Sequence, residues 1–188
     1  MDERQLVKDC LKGRPEAQRQ LYERFAKTML GVCYRYTRSL TDAEDVLQEG
    51  YVRVFTGLKQ YKFEGELGAW VRRVMVNTAL NYLKRNRKYR DEMFFTDQQP
   101  LLHPVADSDP AINLQAKELA DLIRQLPHGY QTIFNLHAVE GYSHVEIGEM
   151  LGISDGTSRS QYARARALLI SWLEEISVEK KIKNYAGQ

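Results

Sequence analysis

Residues 141–169 read GYSHVEIGEMLGISDGTSRSQYARARALL, and their spacing predicts two helices joined by a tight turn. Ser143 stands three residues before Glu146, so its hydroxyl can cap the first turn while the carboxylate reaches back to the cap's own amide. Val145, Ile147, Met150 and Leu151 supply the apolar face of that helix. Gly152 follows, where a left-handed residue carries no Cβ penalty. Ile153 is placed to plug the angle between the helices, Ser154 to cap the second, and Asp155 to face its N-terminal dipole. Gly148 falls where two crossing helices approach most closely. The expected result is a helix-turn-helix.

The second helix presents Asp155, Thr157, Arg159, Ser160, Gln161, Arg164 and Arg166, a polar and cationic surface near a helix N-terminus. Such a surface suits a DNA major groove, where Arg reads guanine edges and Ser, Thr or Gln reach bases or phosphates. The competing reading is a solvated helix pair that binds protein or nothing.

The chain around this stretch has 188 residues, enough for one or two domains with a real core, and a formal net charge of only +2. The distribution says more than the total. Residues 1–95 hold 19 Lys and Arg against 13 Asp and Glu, whereas residues 96–113 hold three Asp and no Lys or Arg. Positive potential therefore belongs to the N-terminal half, which a lone helix-turn-helix repressor does not require. Cys10 and Cys33 form no disulfide framework and stand in no metal-ligand spacing; a reduced, cytoplasmic protein is the simpler inference. The opening MDERQLVKDC lacks the apolar core of a signal peptide, and no run is long enough to span a bilayer. His103, His128, His137 and His144 are scattered, with no nucleophile or paired ligand beside them. No metal, cofactor or catalytic group is expected.

A first helix is expected over Glu3–Lys12, interrupted by Gly13–Pro15 before a longer one from Glu16. In the latter, Leu21, Phe25, Met29, Val32, Cys33 and Tyr36 recur at core-facing spacings. Thr41 repeats the cap signature with Glu44, and a helix follows to about Leu58, burying Ala43, Leu47, Gly50, Tyr51, Val54 and Leu58. Asp42, Asp45 and Glu49 fall on its other side, with Gln48, Val52 and Arg53 beside them. That acidic face repels DNA. It is either simply solvated or fitted to a basic protein surface.

Phe63-Glu-Gly-Glu-Leu-Gly-Ala-Trp70 is a glycine-bearing loop leading into a helix that ends near Arg87. Seven basic residues and no acidic one lie between Leu67 and Arg90. Leu67, Trp70, Val71, Val74, Met75, Thr78 and Tyr82 share one face, Val76, Ala79 and Leu83 add a flank, and Arg73, Asn77, Lys84 and Arg87 are left on a polar strip. A cationic strip beside Phe and Trp is what backbone contact plus base stacking requires in single-strand binding. A core helix with a wet edge fits the same pattern, and this stretch alone leaves the two readings even.

Residues 94–113 carry three prolines and no sustained periodicity, and read as an acidic, flexible linker. The stretch 96–113 extends to roughly 60 Å at about 3.3 Å per residue, against roughly 34 Å per duplex turn. Beyond it, Leu119, Leu122, Ile123 and Leu126 make a helix stopped at Pro127, and Ile133, Phe134, Leu136 and Val139 make another. Leu168, Leu169, Ile170, Trp172 and Leu173 close this second small domain, and the charged tail 179–188 is expected to fray. The expected architecture is all-α: a helical domain over 1–93, the linker, and a helix-turn-helix domain over 114–178.

DAEDVLQEGYVRVF at 42–55, FEGELGAWVRRVMVNTALNYLKR at 63–85, the acidic linker, LADLIRQLPHGYQTIF at 119–134 and the helix-turn-helix together resemble an extracytoplasmic-function (ECF) sigma factor of the sigma-70 family. The resemblance implies that Asp42, Asp45, Gln48, Glu49 and Arg53 dock on the β′ clamp helices of core RNA polymerase, with the β flap a further contact. It implies minus-ten recognition and melting for Phe63, Trp70, Arg73, Asn77, Lys84 and Arg87. Thr157, Arg159, Ser160, Gln161, Arg164 and Arg166 would then read the minus-thirty-five element of promoter DNA, and an anti-sigma factor is a possible partner. Two departures stand out. Four residues rather than the family's six separate Gly65 from Trp70, and Ser158 occupies an inner position that is usually apolar, its hydroxyl expected on the Ser154 carbonyl. The alternatives are a stand-alone helix-turn-helix regulator with a sensing or dimerising domain, and an adaptor that sequesters a transcription factor.

Overall fold

Helix α1 (Glu3–Leu11) is closed by Gly13, whose φ of 71° turns the chain into α2 (Pro15–Tyr34). Pro15 takes the first helical position, where its missing N–H removes nothing and its fixed φ suits the helix. The computed structural model describes the backbone of residues 2–86 and 114–186, and side chains within 2–86 and 119–178. The expected linker 94–113 and Arg87 lie outside the described residues. Two units divide the chain, 1–87 and 88–188.

In the first unit, α2, α3 (Leu40–Gly57) and α4 (Leu67–Arg85) pack on one another and α1 lies against α2. The α3 cap is Ser39 rather than Thr41: its hydroxyl accepts the Asp42 N–H at 3.1 Å. Both residues have the cap spacing, but Ser39 has the extended backbone a cap needs while Thr41 is already helical. A 3-10 turn, Leu58–Gln60, ends α3. The stripe expected on α3 is buried, with Val46 added to it.

The buried side of α4 takes in the expected flank as fully as the expected face, and adds Leu80. Leu67, Val71, Met75 and Thr78 are inside, but so are Val76, Ala79, Leu80 and Leu83, while Trp70, Val74 and Tyr82 are only half-buried. The reason is that α4 packs against α2 and α3 at once, so its apolar arc is wider than a one-sided amphipathic helix requires. It closes at Arg85, short of Arg87.

In the second unit, α5 (Leu114–Gln125), α6 (His128–Phe134) and α7 (His144–Leu151) all pack on one long helix, α8 (Asp155–Ala186). Leu122, Leu126, Ala165, Leu169 and Trp172 form its core. Leu119, Val139, Ile170 and Leu173, expected inside, are exposed. On α8 the buried residues 158, 165, 169 and 172 follow one stripe, and Ile170 and Leu173 each lie one residue, about 100°, beyond it. The helix continues to Ala186, through most of the segment expected to fray.

Candidate nucleic-acid interface

On the outward side of α3, Asp45, Gln48, Val52 and Arg53 are exposed. Asp42 is half-buried and accepts the Tyr82 hydroxyl at 2.8 Å, which ties the start of α3 to α4. Glu49 receives Arg53 at 2.7 Å and Arg85 of α4 at 2.5 Å. The Arg85 hydrogen bond, then that of Arg53, holds its carboxyl below the usual carboxylate range although partial burial opposes this. The acidic face is therefore partly neutralised by its own protein, with Asp45 left as its exposed carboxylate.

Arg73, Asn77 and Lys84 of α4 are all exposed. Positions 73, 77 and 84 fall within about 40° of one another on a helical wheel, so these three members of the expected strip line up, and Arg87 lies outside the described residues. Beside it stands an aromatic group. Tyr61 lies with its ring centroid 5.0 Å from that of Phe63 and 5.7 Å from that of Trp70. Phe63, which is 36% exposed, has φ 60°, a left-handed backbone that bulky residues seldom adopt.

The helix-turn-helix is built as its sequence demands. Ser143 Oγ accepts the Glu146 N–H at 3.3 Å, and Glu146 Oε2 accepts the Ser143 N–H at 2.8 Å. Gly152 takes φ 72°, and its N–H and that of Ile153 both donate to the Gly148 carbonyl. A Cβ on Gly148 would stand 2.7 Å from the Ile153 carbonyl oxygen, so the close approach of the two segments needs glycine. Ser154 Oγ accepts the Thr157 N–H at 3.0 Å and caps α8. Val145, expected on the inner face, points outward.

Ser158 departs from the expectation. It is fully buried, and its hydroxyl pairs with His144 Nδ1 at 2.9 Å rather than with the Ser154 carbonyl, which instead accepts the Ser158 N–H. His144 stacks on His137, centroids 4.2 Å apart, and Tyr162 meets His137 in a T-shaped contact with centroids 4.6 Å apart. His137 Nδ1–H donates to the Tyr142 carbonyl at 2.8 Å. Two histidines that look scattered in sequence are thus the packing between the π-helical segment Asn135–Val139 that follows α6, the start of α7 and the inner side of α8. Burial, then His137 and Arg159, push the His144 imidazole below its usual value.

The cationic side chains of α8 do not share one line. Arg159 and Arg166 lie two turns apart on one edge, Ser160 and Arg164 one turn apart on another, and Thr157 and Gln161 are half-buried. Arg159 is paired with Asp155 at 2.7 Å.

Family comparison addresses both units. A family described as Sigma-70 region 2 matches residues 21–89, and one described as Sigma-70, region 4 matches residues 116–169. The chain belongs to the ECF sigma-70 family. This sigma factor is 24% identical to ECF RNA polymerase sigma factor SigW of Bacillus subtilis over 90% of its own length and 96% of the relative's. It is 31% identical to SigE of Mycolicibacterium smegmatis over 85% of its length and 63% of the relative's. Among solved structures, it resembles the sigma factor RpoE of Bartonella quintana, in complex with the anti-sigma factor NepR, with a TM-score of 0.53 and 18% identity over 83% of this chain and 96% of that one. A region 2 match is not a sensing or dimerising domain, so the stand-alone regulator is set aside. Sequence reasoning about this sigma factor missed Arg85 as a partner of Glu49, His144 as a partner of Ser158, and Glu3. Glu3 sends its carboxylate to Leu67, 64 positions away, and no local pattern encodes a contact at that separation.

Proposed function

We propose that the two units divide promoter recognition between them, within the family's role of binding core RNA polymerase and directing promoter-specific initiation. Asp45, Gln48, Glu49 and Arg53 form the polymerase-docking face, with Asp42 bracing α3 against α4 through Tyr82. Phe63, Trp70, Arg73, Asn77 and Lys84 form the surface for the opened minus-ten strand, where rings stack on bases and cations neutralise phosphates. Arg159, Ser160, Arg164 and Arg166 face the minus-thirty-five duplex, with Thr157 and Gln161 at its margin. The chain supplies no catalysis; nucleotide addition belongs to the polymerase, and the working compartment is the cytoplasm. No helix among the described residues is long and apolar enough to cross a membrane. An anti-sigma factor, as bound by the RpoE relative, would act by covering these surfaces.

One observation carries the division: an acid-bearing face on α3 and a cationic, aromatic-edged strip on α4 occupy one unit, while the helix-turn-helix occupies the other. The test is to add the full chain to core polymerase with genomic fragments and look for run-off transcripts of discrete length. Transcripts absent without the chain are expected. A chain that shifts DNA but never yields a transcript would point to a regulator instead.

A further inference from the structure

Helix α4 begins without a cap of its own: Glu66, at its N-cap position, makes no side-chain cap hydrogen bond. The amides of a first helical turn need acceptors, and one comes from another helix. Glu3 of α1 accepts the Leu67 N–H on Oε1 at 3.0 Å, and the same oxygen lies 3.3 Å from the Tyr61 hydroxyl. Its other oxygen is 3.6 Å from Arg24 of α2. A carboxylate here also faces the positive end of the α4 dipole.

The loop between Tyr61 and Leu67 is fastened at successive points by the same neighbours. The Tyr61 hydroxyl donates to the Gly65 carbonyl at 2.7 Å, its ring packs on Phe63 and Trp70, and the Arg4 guanidinium lies 5.6 Å from the Phe63 ring centroid. Phe63 and Gly65 both have positive φ, 60° and 91°. A left-handed phenylalanine persists only where its surroundings over-determine it. Here the surroundings are Tyr61, Arg4 and, through the α4 amide and the Tyr61 hydroxyl, Glu3. Two residues on the first turn of α1 thus hold a loop that is distant in sequence, and the ring they hold still reaches solvent.

We propose that Glu3 is a positioning residue for promoter opening: without touching DNA, it locks the loop between Tyr61 and Leu67, with Phe63 in it, in the conformation that receives an unpaired base. The inference rests on the reading of this loop as the strand-opening surface. Pre-organisation of this kind removes the cost of ordering a loop when the base arrives.

The experiment uses holoenzyme assembled from core polymerase and the full chain on a promoter recovered by run-off transcription. Opening is followed by permanganate reactivity of thymines against time. Glu3→Ala is expected to slow opening at least fivefold while core binding and closed-complex formation stay at wild-type levels, and a pre-melted template restores its transcription. Glu3→Gln, whose amide oxygen still accepts from Leu67, stays within twofold of wild type. Val7→Ala serves as the control for stability alone, since Val7 is buried in the same helix and its side chain carries no hydrogen-bonding group. A Glu3→Ala protein that opens at the wild-type rate overturns the proposal, as does a Val7→Ala protein of equal melting temperature that is equally slow. Phe63→Ala separates the two layers. If it is slow and Glu3→Ala is not, only the positioning role fails; if it opens normally, the reading of the loop fails and the proposal with it.

Discussion

Gly148 and His144 show how single residues set the geometry of the helix-turn-helix. Gly148→Ala drives a methyl group against the Ile153 carbonyl, 2.7 Å from the ideal Cβ, and a backbone atom cannot rotate aside as a side chain would. The expected loss is about 1 to 3 kcal/mol, the usual range for overpacking, read as a lower thermal midpoint of the second unit. Gly156→Ala is the contrast, since its nearest neighbour is the Ser154 hydroxyl at 3.7 Å. At His144, burial and the neighbouring His137 and Arg159 disfavour the charged ring, while Asp155 favours it more weakly. The folded state therefore binds a proton less readily than the unfolded state. Stability from this site is present above the ordinary histidine value of 6.5 and is lost as the pH falls below it. Thermal midpoints between pH 8 and pH 5 should fall more steeply in the wild type than in His144→Gln. Parallel curves would assign the acid sensitivity elsewhere.

Helix α8 is the spine of its unit and, in the proposed function, its recognition element, with the exposed candidates spread over two edges. A base-reading arginine should cost about 1 to 3 kcal/mol on truncation, with discrimination lost at one position. An arginine on phosphate weakens all sequences alike and lowers the salt slope by about one unit. Arg164→Ala is expected to follow the first pattern. Arg159 must leave Asp155 to reach DNA, but that exposed pair is worth little and presents no barrier. Binding of a minus-thirty-five duplex across a salt series separates the two patterns, and an Arg164→Ala protein with unchanged binding and slope would remove that residue from the groove.

For the molecule as a whole, the proposal assigns opening and duplex recognition to different units. Arg73→Ala combined with Asn77→Ala should reduce permanganate-detected opening, and a pre-melted promoter should recover most of the lost transcription. Arg164→Ala should not be recovered in that way. A folded Arg73 and Asn77 double variant that opens promoters at the wild-type rate would make this strip a solvated edge. Asp45→Arg is the cleaner probe of polymerase docking, because reversing Glu49 also strands Arg53 and Arg85. Its affinity for core polymerase should fall with helix content unchanged in circular dichroism.

The periodicity of α2 and α3, the Ser143–Glu146 capping box, the turn at Gly152 and the division into two units are local or compositional matters. A cap spacing or a 3.6-residue stripe is written within a few turns of chain, so the sequence alone determined them. The choice between Ser39 and Thr41 turned on where the chain became helical, not on spacing. What only the tertiary structure decided lies across long separations: the double-sided burial of α4 between α2 and α3, the Arg85–Glu49 bridge, the His144–Ser158 pair, and the reach of Glu3 to the Leu67 amide. Each joins groups whose partnership depends on helix rotation and packing. A buried hydroxyl or an orphan amide takes whichever acceptor the fold brings within 3 Å or so, and periodicity records which face turns inward without recording what it meets there.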